Sequence, residues 1–371
     1  MKQPFEDVLR DMIDDGCPPI CVISDFFLGW TFESCRLFGI PRVVSRGMGV
    51  FSTAVSKSTS LNVPSVKKVS PLDPIELSEL KIPFTLNIGD IPDVLLNGDQ
   101  NEPSVRLLME LEEADVNSWG VIVNSFEEIE GDYVGAFESN YCNEAKAYCV
   151  GPLLLYDELD QELDAAYIKW LDKYVESNQS GSVIYVSYDT QTHLSNDQMD
   201  EITFGLEMAG HPFIWVVRSK TWAPLDGWNE RVKEEGLVVY DWVEQRSILA
   251  HPSIGGFFSH CGWNSVLESL VNGVPLLTWP VLGTKQALNA KLVTMGLGAR
   301  LVVPQRDVGE KIMTIDRGVI CERVKELMGG EKGRKVKERA QELGQLARHA
   351  VEKGRSHKKL DELIAQLTNN M

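Results

Sequence analysis

Residues Trp242 to Gln286 read WVEQRSILAHPSIGGFFSHCGWNSVLESLVNGVPLLTWPVLGTKQ, and this stretch decides the fold. Its centre is a short apolar run, Gly256, Phe257 and Phe258, that reads as a buried strand. A tight turn is expected at Cys261 and Gly262, followed by a helix from about Asn264 that stops at Gly273. A buried strand, a glycine turn and a helix start are how doubly wound α/β proteins present backbone N–H groups to a phosphate. The donors near Trp263, Asn264 and Ser265 have no acceptor inside the helix, and the helix dipole adds partial positive charge there. A diphosphate suits that place.

The surrounding side chains extend the ligand. Trp242 ends a short strand (Leu237, Val238, Val239) and offers a flat face for a base. Glu268 lies one turn into the helix and can accept hydrogen bonds from a pair of ribose hydroxyls. His260 can donate to a phosphate oxygen. Base stacker, phosphate cradle and diol acceptor together describe a nucleoside diphosphate. Each has a plainer reading: an isolated tryptophan is more often core, His260 could be a structural histidine, and Trp263 a packing residue.

The segment resembles the signature box of plant family 1 UDP-glycosyltransferases. The matched residues are Trp242 and Gln245, then IL-x-H, G-x-F, HCGWNS from His260 to Ser265, Glu268, Gly273 to Pro275, and Trp279-Pro280. So many fixed letters at fixed spacing are a specific signal. The resemblance implies an α/β GT-B architecture, two facing doubly wound Rossmann-like domains, the first incomplete. It also implies that Thr190, Trp242, Val243, Gln245, His260, Gly262, Trp263, Asn264, Ser265, Glu268 and Gln286 bind the UDP-sugar.

Composition agrees. The chain has 371 residues, 43% of them hydrophobic, enough for two cores. A formal charge of −18 argues against nucleic acid or an anionic membrane surface as partner. An anionic UDP-sugar must therefore be held by a local donor cluster. Seven scattered cysteines, an odd count in apolar surroundings, read as reduced thiols. Cys17 and Cys21 flank a proline pair without metal-spaced partners. The acidic N-terminus has no long apolar run, so neither signal peptide nor membrane span is expected. These readings predict a cytoplasmic monomer whose partners are a UDP-sugar and a small acceptor.

In chain order, Phe5, Val8, Leu9, Met12 and Ile13 predict an amphipathic helix, Ile20 to Ser24 a strand, Trp30 to Phe38 a helix and Arg42 to Ser45 a strand. The family's opening strand–helix units normally precede this stretch, so the sequence reads as a member lacking its N-terminal portion. In the family, the acid matching Asp25 orients a general-base histidine on the loop after the first strand. No histidine precedes His193 in this sequence. Asp25 is then either a vestige of that pair or a helix N-cap. Residues 51 to 115 read mostly as loop, SKSTSLNVPSVKKVSPLDP and IGDIPDVLLNGDQNEPS included, and by resemblance line the acceptor pocket. The predicted elements that follow are a helix over Val105 to Asp115 and strands over Gly120 to Asn124 and Tyr148 to Pro152.

The domain reading is 1–155 for the acceptor domain, 156–180 for a linker, 181–345 for the UDP-sugar domain and 346–371 for a helix crossing back. The acidic run from Asp157 to Asp164 reads as solvated linker rather than a cation loop. With no D-x-D anywhere, no metal is expected and leaving-group charge falls to the helix start. In the second half, Ser182 to Ser187 and Phe213 to Arg218 are predicted strands. Ser195 to Gln198 is a capping box before a helix whose buried stripe is Met199, Ile202, Leu206 and Ala209. Helices are expected over Asn289 to Met295, within Lys311 to Met328, and over Gly333 to Leu367.

Two departures from the family pattern bear on the donor. Asp189 stands where a glycine is usual near the diphosphate, and its charge would repel that group. Thr284 and Lys285 stand where an acid binds sugar hydroxyls, which leaves glucose less secure as the sugar. The function expected is inverting transfer of a hexose, glucose by resemblance, to a hydroxyl of a small lipophilic plant metabolite such as a flavonoid or other phenolic. The alternative is a non-catalytic UDP-sugar-binding remnant. A nicotinamide dehydrogenase is disfavoured because no G-x-G-x-x-G follows a strand.

Overall fold

The strand segments are short, β-branched and apolar on both faces, the pattern of parallel sheets covered by helices on each side. The computed structural model describes residues 1–66, 70–99, 101–157, 165–188, 194–219, 221–280, 285–303, 307–308, 311–312 and 314–369. The chain divides into two units. The first comprises 1–156, 283–288 and 347–371, the second 157–282 and 289–346.

In chain order the first unit contains α1 (Lys2–Asp14), β1 (Val22–Asp25), α2 (Trp30–Phe38), β2 (Arg42–Arg46), α3 (Val50–Val66), β3 (Pro74–Ile75), β4 (Leu86–Asn87), α4 (Asp93–Asn97), α5 (Pro103–Val116), β5 (Gly120–Val123), α6 (Glu127–Glu138) and β6 (Lys146–Cys149). Its main sheet is all parallel in the order β1-β2-β5-β6. β1 starts two residues later than expected, because pairing begins where the Val22 N–H reaches the Pro41 carbonyl.

The stretch read as loop after Phe51 is mostly helix, since α3 runs through SKSTSLNVPSV. Its hydroxyls do not compete with the helix; they fold back onto it. Ser56 Oγ donates to the Ser52 carbonyl at 2.7 Å and Thr59 Oγ1 to that of Val55 at 2.8 Å. The start is capped from far away in sequence: Glu130 accepts from the N–H groups of Val50 and Phe51 at 3.0 and 2.8 Å. The second supposed loop also contains structure, namely a 3₁₀ turn over Ile88–Asp90 and the short α4.

The second unit follows with α7 (Ala166–Glu176), β7 (Val183–Ser187), α8 (Asn196–Ala209), β8 (Phe213–Val216), α9 (Trp228–Val232), β9 (Gly236–Val239), α10 (Gln245–Ala250), β10 (Ile254–Ser259), α11 (Trp263–Val271), β11 (Leu276–Thr278), α12 (Lys285–Lys291), β12 (Arg300–Val302), β13 (Asp307–Val308), β14 (Lys311–Ile312), α13 (Arg317–Gly329) and α14 (Glu331–Glu352). Residues 285–288 of α12 and the end of α14 belong to the first unit. The main sheet is parallel in the order β12-β11-β10-β7-β8-β9.

Met199, Ile202, Leu206 and Ala209 of α8 are buried in its core as their spacing predicts, against Ile320 and Val324 of α13. Ser195 caps α8 by accepting from the Gln198 N–H at 3.2 Å. The reciprocal half of the expected box is absent, because the Gln198 side chain turns instead to the backbone of Ile315 at 2.6 and 3.2 Å. The helix expected from Asn289 starts earlier, at Lys285, and ends in a π turn over Leu292–Gly296. The last helix, α15 (Arg355–Asn369), packs on β6 of the first unit, where Tyr148 donates to Gln366 at 2.6 Å beside Leu363 and Leu367. Among the described residues no helix is long and apolar enough to cross a membrane.

Candidate active site

In the second sheet the chain order reverses between β7 and β10, whose carboxyl ends meet where Ser187 pairs with Ser259. That switch point is where open α/β sheets leave a crevice for a ligand. The turn after β10 enters it and becomes α11.

The tight turn lies at Cys261 and Gly262. Its left-handed residue is Cys261, at φ +68°, whereas Gly262 has φ −56°. Cys261 is fixed from both sides: its N–H donates to Ser259 Oγ at 3.2 Å and its carbonyl accepts from Asn289 Nδ2 at 3.1 Å. Burial pushes its thiol up to about 11. Gly262 is needed for space, since a Cβ there would lie 2.5 Å from Nε2 of His260. His260 is thereby laid across the helix start. Gly262 is the N-cap of α11 and supplies no side-chain cap.

Gln245, first residue of α10, ties the site together. Its Nε2 donates to Ser265 Oγ at 2.9 Å and to Glu268 Oε2 at 2.7 Å. Its Oε1 accepts from the Tyr185 hydroxyl at 3.2 Å. Burial raises the Glu268 carboxyl above its ordinary value, against the pull of the Gln245 hydrogen bond. Just ahead, Trp242 is 69% exposed, so it is not a core tryptophan, while Val243 is buried. The Trp263 side chain is buried and Asn264 is exposed. Thr190 lies outside the described residues, as do Asp189 and Thr284. Tyr185 escaped the sequence reading because it sits in an uninterrupted apolar strand; its hydroxyl bond to Gln245 gives it a site role.

Asp25 and Gln286 belong to the first unit. Asp25 is exposed and its Oδ1 accepts from the Phe27 N–H at 2.8 Å, closing a turn. It is not a helix cap, because the N-cap of α2 is Gly29. The same unit holds a charged cluster that the sequence did not disclose. Arg46 of β2 meets Glu112 at 2.9 Å and Asp115 at 3.3 Å, both on α5. Lys57 of α3 meets the same two carboxylates at 2.5 and 3.1 Å, and Tyr141 donates to Asp115 at 2.7 Å. Burial opposes charge on Glu112, but Arg46 and Lys57 prevail and hold it at about 2. Among the described residues no group of three or more His, Cys, Asp or Glu is placed to hold a metal ion.

A doubly wound α/β unit with a nucleotide-type helix start at its switch point, together with a unit whose parallel sheet runs β1-β2-β5-β6, has the parts of a GT-B architecture. Residues 158–315 match the family described as "UDP-glucoronosyl and UDP-glucosyl transferase". UDP-glycosyltransferase 90A1 of Arabidopsis thaliana is 36% identical over 374 residues, covering 99% of this chain and 76% of that protein. Scopoletin glucosyltransferase of Nicotiana tabacum is 32% identical over 370 residues, covering 96% and 75% respectively. The structure of Phytolacca americana UGT2 complexed with UDP-2fluoro-glucose and pterostilbene superposes with a TM-score of 0.82 at 30% identity, over 98% of this chain and 80% of that one. The chain belongs to the plant UDP-glycosyltransferases, enzymes whose co-substrate is a UDP-sugar.

Proposed function

We propose that this chain transfers a hexose from its UDP-sugar, with inversion, to a hydroxyl of a small lipophilic plant metabolite such as a flavonoid or other phenolic. The observation that carries the reading is the Gln245 amide joining Ser265 and Glu268 beside the start of α11. In this reading the uracil lies on Trp242 beside Val243, and the ribose hydroxyls share Glu268 with Gln245. The diphosphate sits at the N–H groups of Trp263, Asn264 and Ser265 over Gly262, with His260 and Thr190 donating to it. As the sugar bond breaks, negative charge grows on the diphosphate, and the helix dipole and those donors stabilise it without a metal. Gln286 holds sugar hydroxyls. Residues 1–155 take the acceptor and 181–345 the donor, in a cytoplasmic monomer.

Titration calorimetry with UDP tests the nucleotide site, and UDP release in the presence of a phenolic panel tests transfer. A protein that does not bind UDP would refute the reading. A second reading, a UDP-sugar binder without catalysis, rests on Asp25, whose Oδ1 accepts from the Phe27 N–H and closes a turn. UDP binding without UDP release over the whole panel would establish it.

A further inference from the structure

The Gln245 amide has one acceptor oxygen and two N–H donors, and each is engaged. Nε2 gives its two hydrogens to Ser265 at 2.9 Å and Glu268 at 2.7 Å, while Oε1 accepts from the Tyr185 hydroxyl at 3.2 Å. Opposite an ionised Glu268 only this orientation works. The reversed amide would set Oε1 against the carboxylate, acceptor against acceptor.

What holds the amide there is not α10. Gln245 is the first residue of that short helix and only half-buried, and a free glutamine side chain has rotamers to lose. Tyr185 is fixed. It is the middle residue of β7, a strand flanked by β10 and β8, with its side chain fully buried and its ring stacked on Phe257 at 4.9 Å between centroids and 21° between planes. Its hydroxyl is a stationary point of the sheet, and the bond to Oε1 ties a mobile side chain to it. A chain of contacts therefore runs from core strand to phenol, amide and carboxylate, all within the second unit. Functional groups are aimed best when a rigid element holds them through such a support. Phenylalanine would fill the same core space, so the hydroxyl calls for a reason, and its bond to Gln245 supplies one.

We propose that Tyr185 is a positioning residue for the ribose of the nucleotide. It acts without touching the ligand: through Gln245 it aims Glu268, and so sets how strongly the protein prefers a ribose bearing hydroxyls to one without them. This rests on the nucleotide reading above.

The test is titration calorimetry on the full chain with UDP and with its dideoxy analogue, which lacks both ribose hydroxyls. The parent should bind UDP about tenfold more tightly than the analogue. Tyr185→Phe should weaken UDP about threefold to tenfold and leave the analogue within about twofold of the parent, so that the preference collapses. A packing defect would instead weaken both ligands alike. Equal losses, or a preference that survives the substitution, would overturn the proposal, as would a parent that binds UDP and the analogue equally. A parent that binds neither would remove the nucleotide reading itself. Should Tyr185→Phe fold poorly because Oε1 has lost its donor, Tyr185→Phe/Gln245→Ala removes that oxygen as well. The double variant should match Gln245→Ala for both ligands, because Tyr185 acts only through the amide; a further loss of UDP affinity would overturn the proposal.

Discussion

The side-chain amide of Gln245 donates to Glu268 across 2.7 Å, joining the segment after Trp242 to the early turns of α11. Glu268 is thereby aimed while one of its oxygens stays available to a diol. Gln245→Ala should weaken UDP binding by about 1–2 kcal/mol, roughly tenfold in Kd by calorimetry, with an unchanged far-ultraviolet spectrum. Unaltered UDP affinity would mean that Glu268 does not contact the ribose.

Trp242 contributes little to packing, being 69% exposed. Trp242→Ala should leave the melting temperature within about 2 °C while weakening UDP by about 1–3 kcal/mol, the range for a base stacked on an aromatic ring. A large fall in melting temperature with unchanged binding would place the indole in the core of the unit instead.

Gly262 has room for no side chain under His260. Gly262→Ala should displace the imidazole and weaken UDP binding at least about tenfold, because the helix start and the histidine serve one ligand. The variant Gly262→Ala/His260→Ala should fold well and lose no more than His260→Ala alone; additive losses would disprove the steric coupling.

Lys285 predicts an inverted pH dependence. Its folded pKa, about 8, lies below the unfolded value of 10.5. Between those values the unfolded chain binds more protons, so stability rises with pH across that window and the cost is fully present below it. Lys285→Gln should be more stable than the parent by about 1–2 kcal/mol at pH 7, and the gain should vanish by about pH 10.5. Urea denaturation at three pH values measures it; a destabilised variant at pH 7 would show that the ammonium has an acid partner.

Glu112 behaves in the opposite sense. Held at about 2 by Arg46 and Lys57, it stabilises the fold above the unfolded value of 4.5 and loses that contribution as pH falls towards 2. After allowing for its partly exposed side chain, the contribution is on the order of 2 kcal/mol. Glu112→Gln should be less stable at pH 7 and should flatten the acid limb of the stability curve. An acid limb as steep as the parent's would assign the loss to another carboxylate.

What could be read from the sequence was what neighbours in the chain decide. β10, its turn and α11 announce themselves because strand, turn and helix start lie within eighteen residues, Ile254 to Val271. The stripe on α8 was legible for the same reason. α3 was not, because SKSTS looks like loop until Glu130, far along the chain, caps it and a buried environment turns the hydroxyls inward. Arg46 fell just past the strand read over Arg42 to Ser45; its partners lie on α5, and the sequence gives no sign that α5 and α3 converge on it. The turn at Cys261 and Gly262 could be placed from sequence, but not that Cys261 would take its left-handed position, held by hydrogen bonds on both sides.

The shielding of Cys261 makes it a built-in reporter. A thiol with no solvent access and an acidity suppressed to about 11 scarcely reacts with alkylating reagents at neutral pH, whereas Cys17 and Cys142 lie open at the surface. Labelling of Cys261 therefore requires the turn after β10 to come apart, and its rate times that opening. If a nucleotide closes the crevice, the modification clock at this single sulfur should slow in proportion to occupancy, which offers a mass-spectrometric count of filled sites without any enzymatic assay.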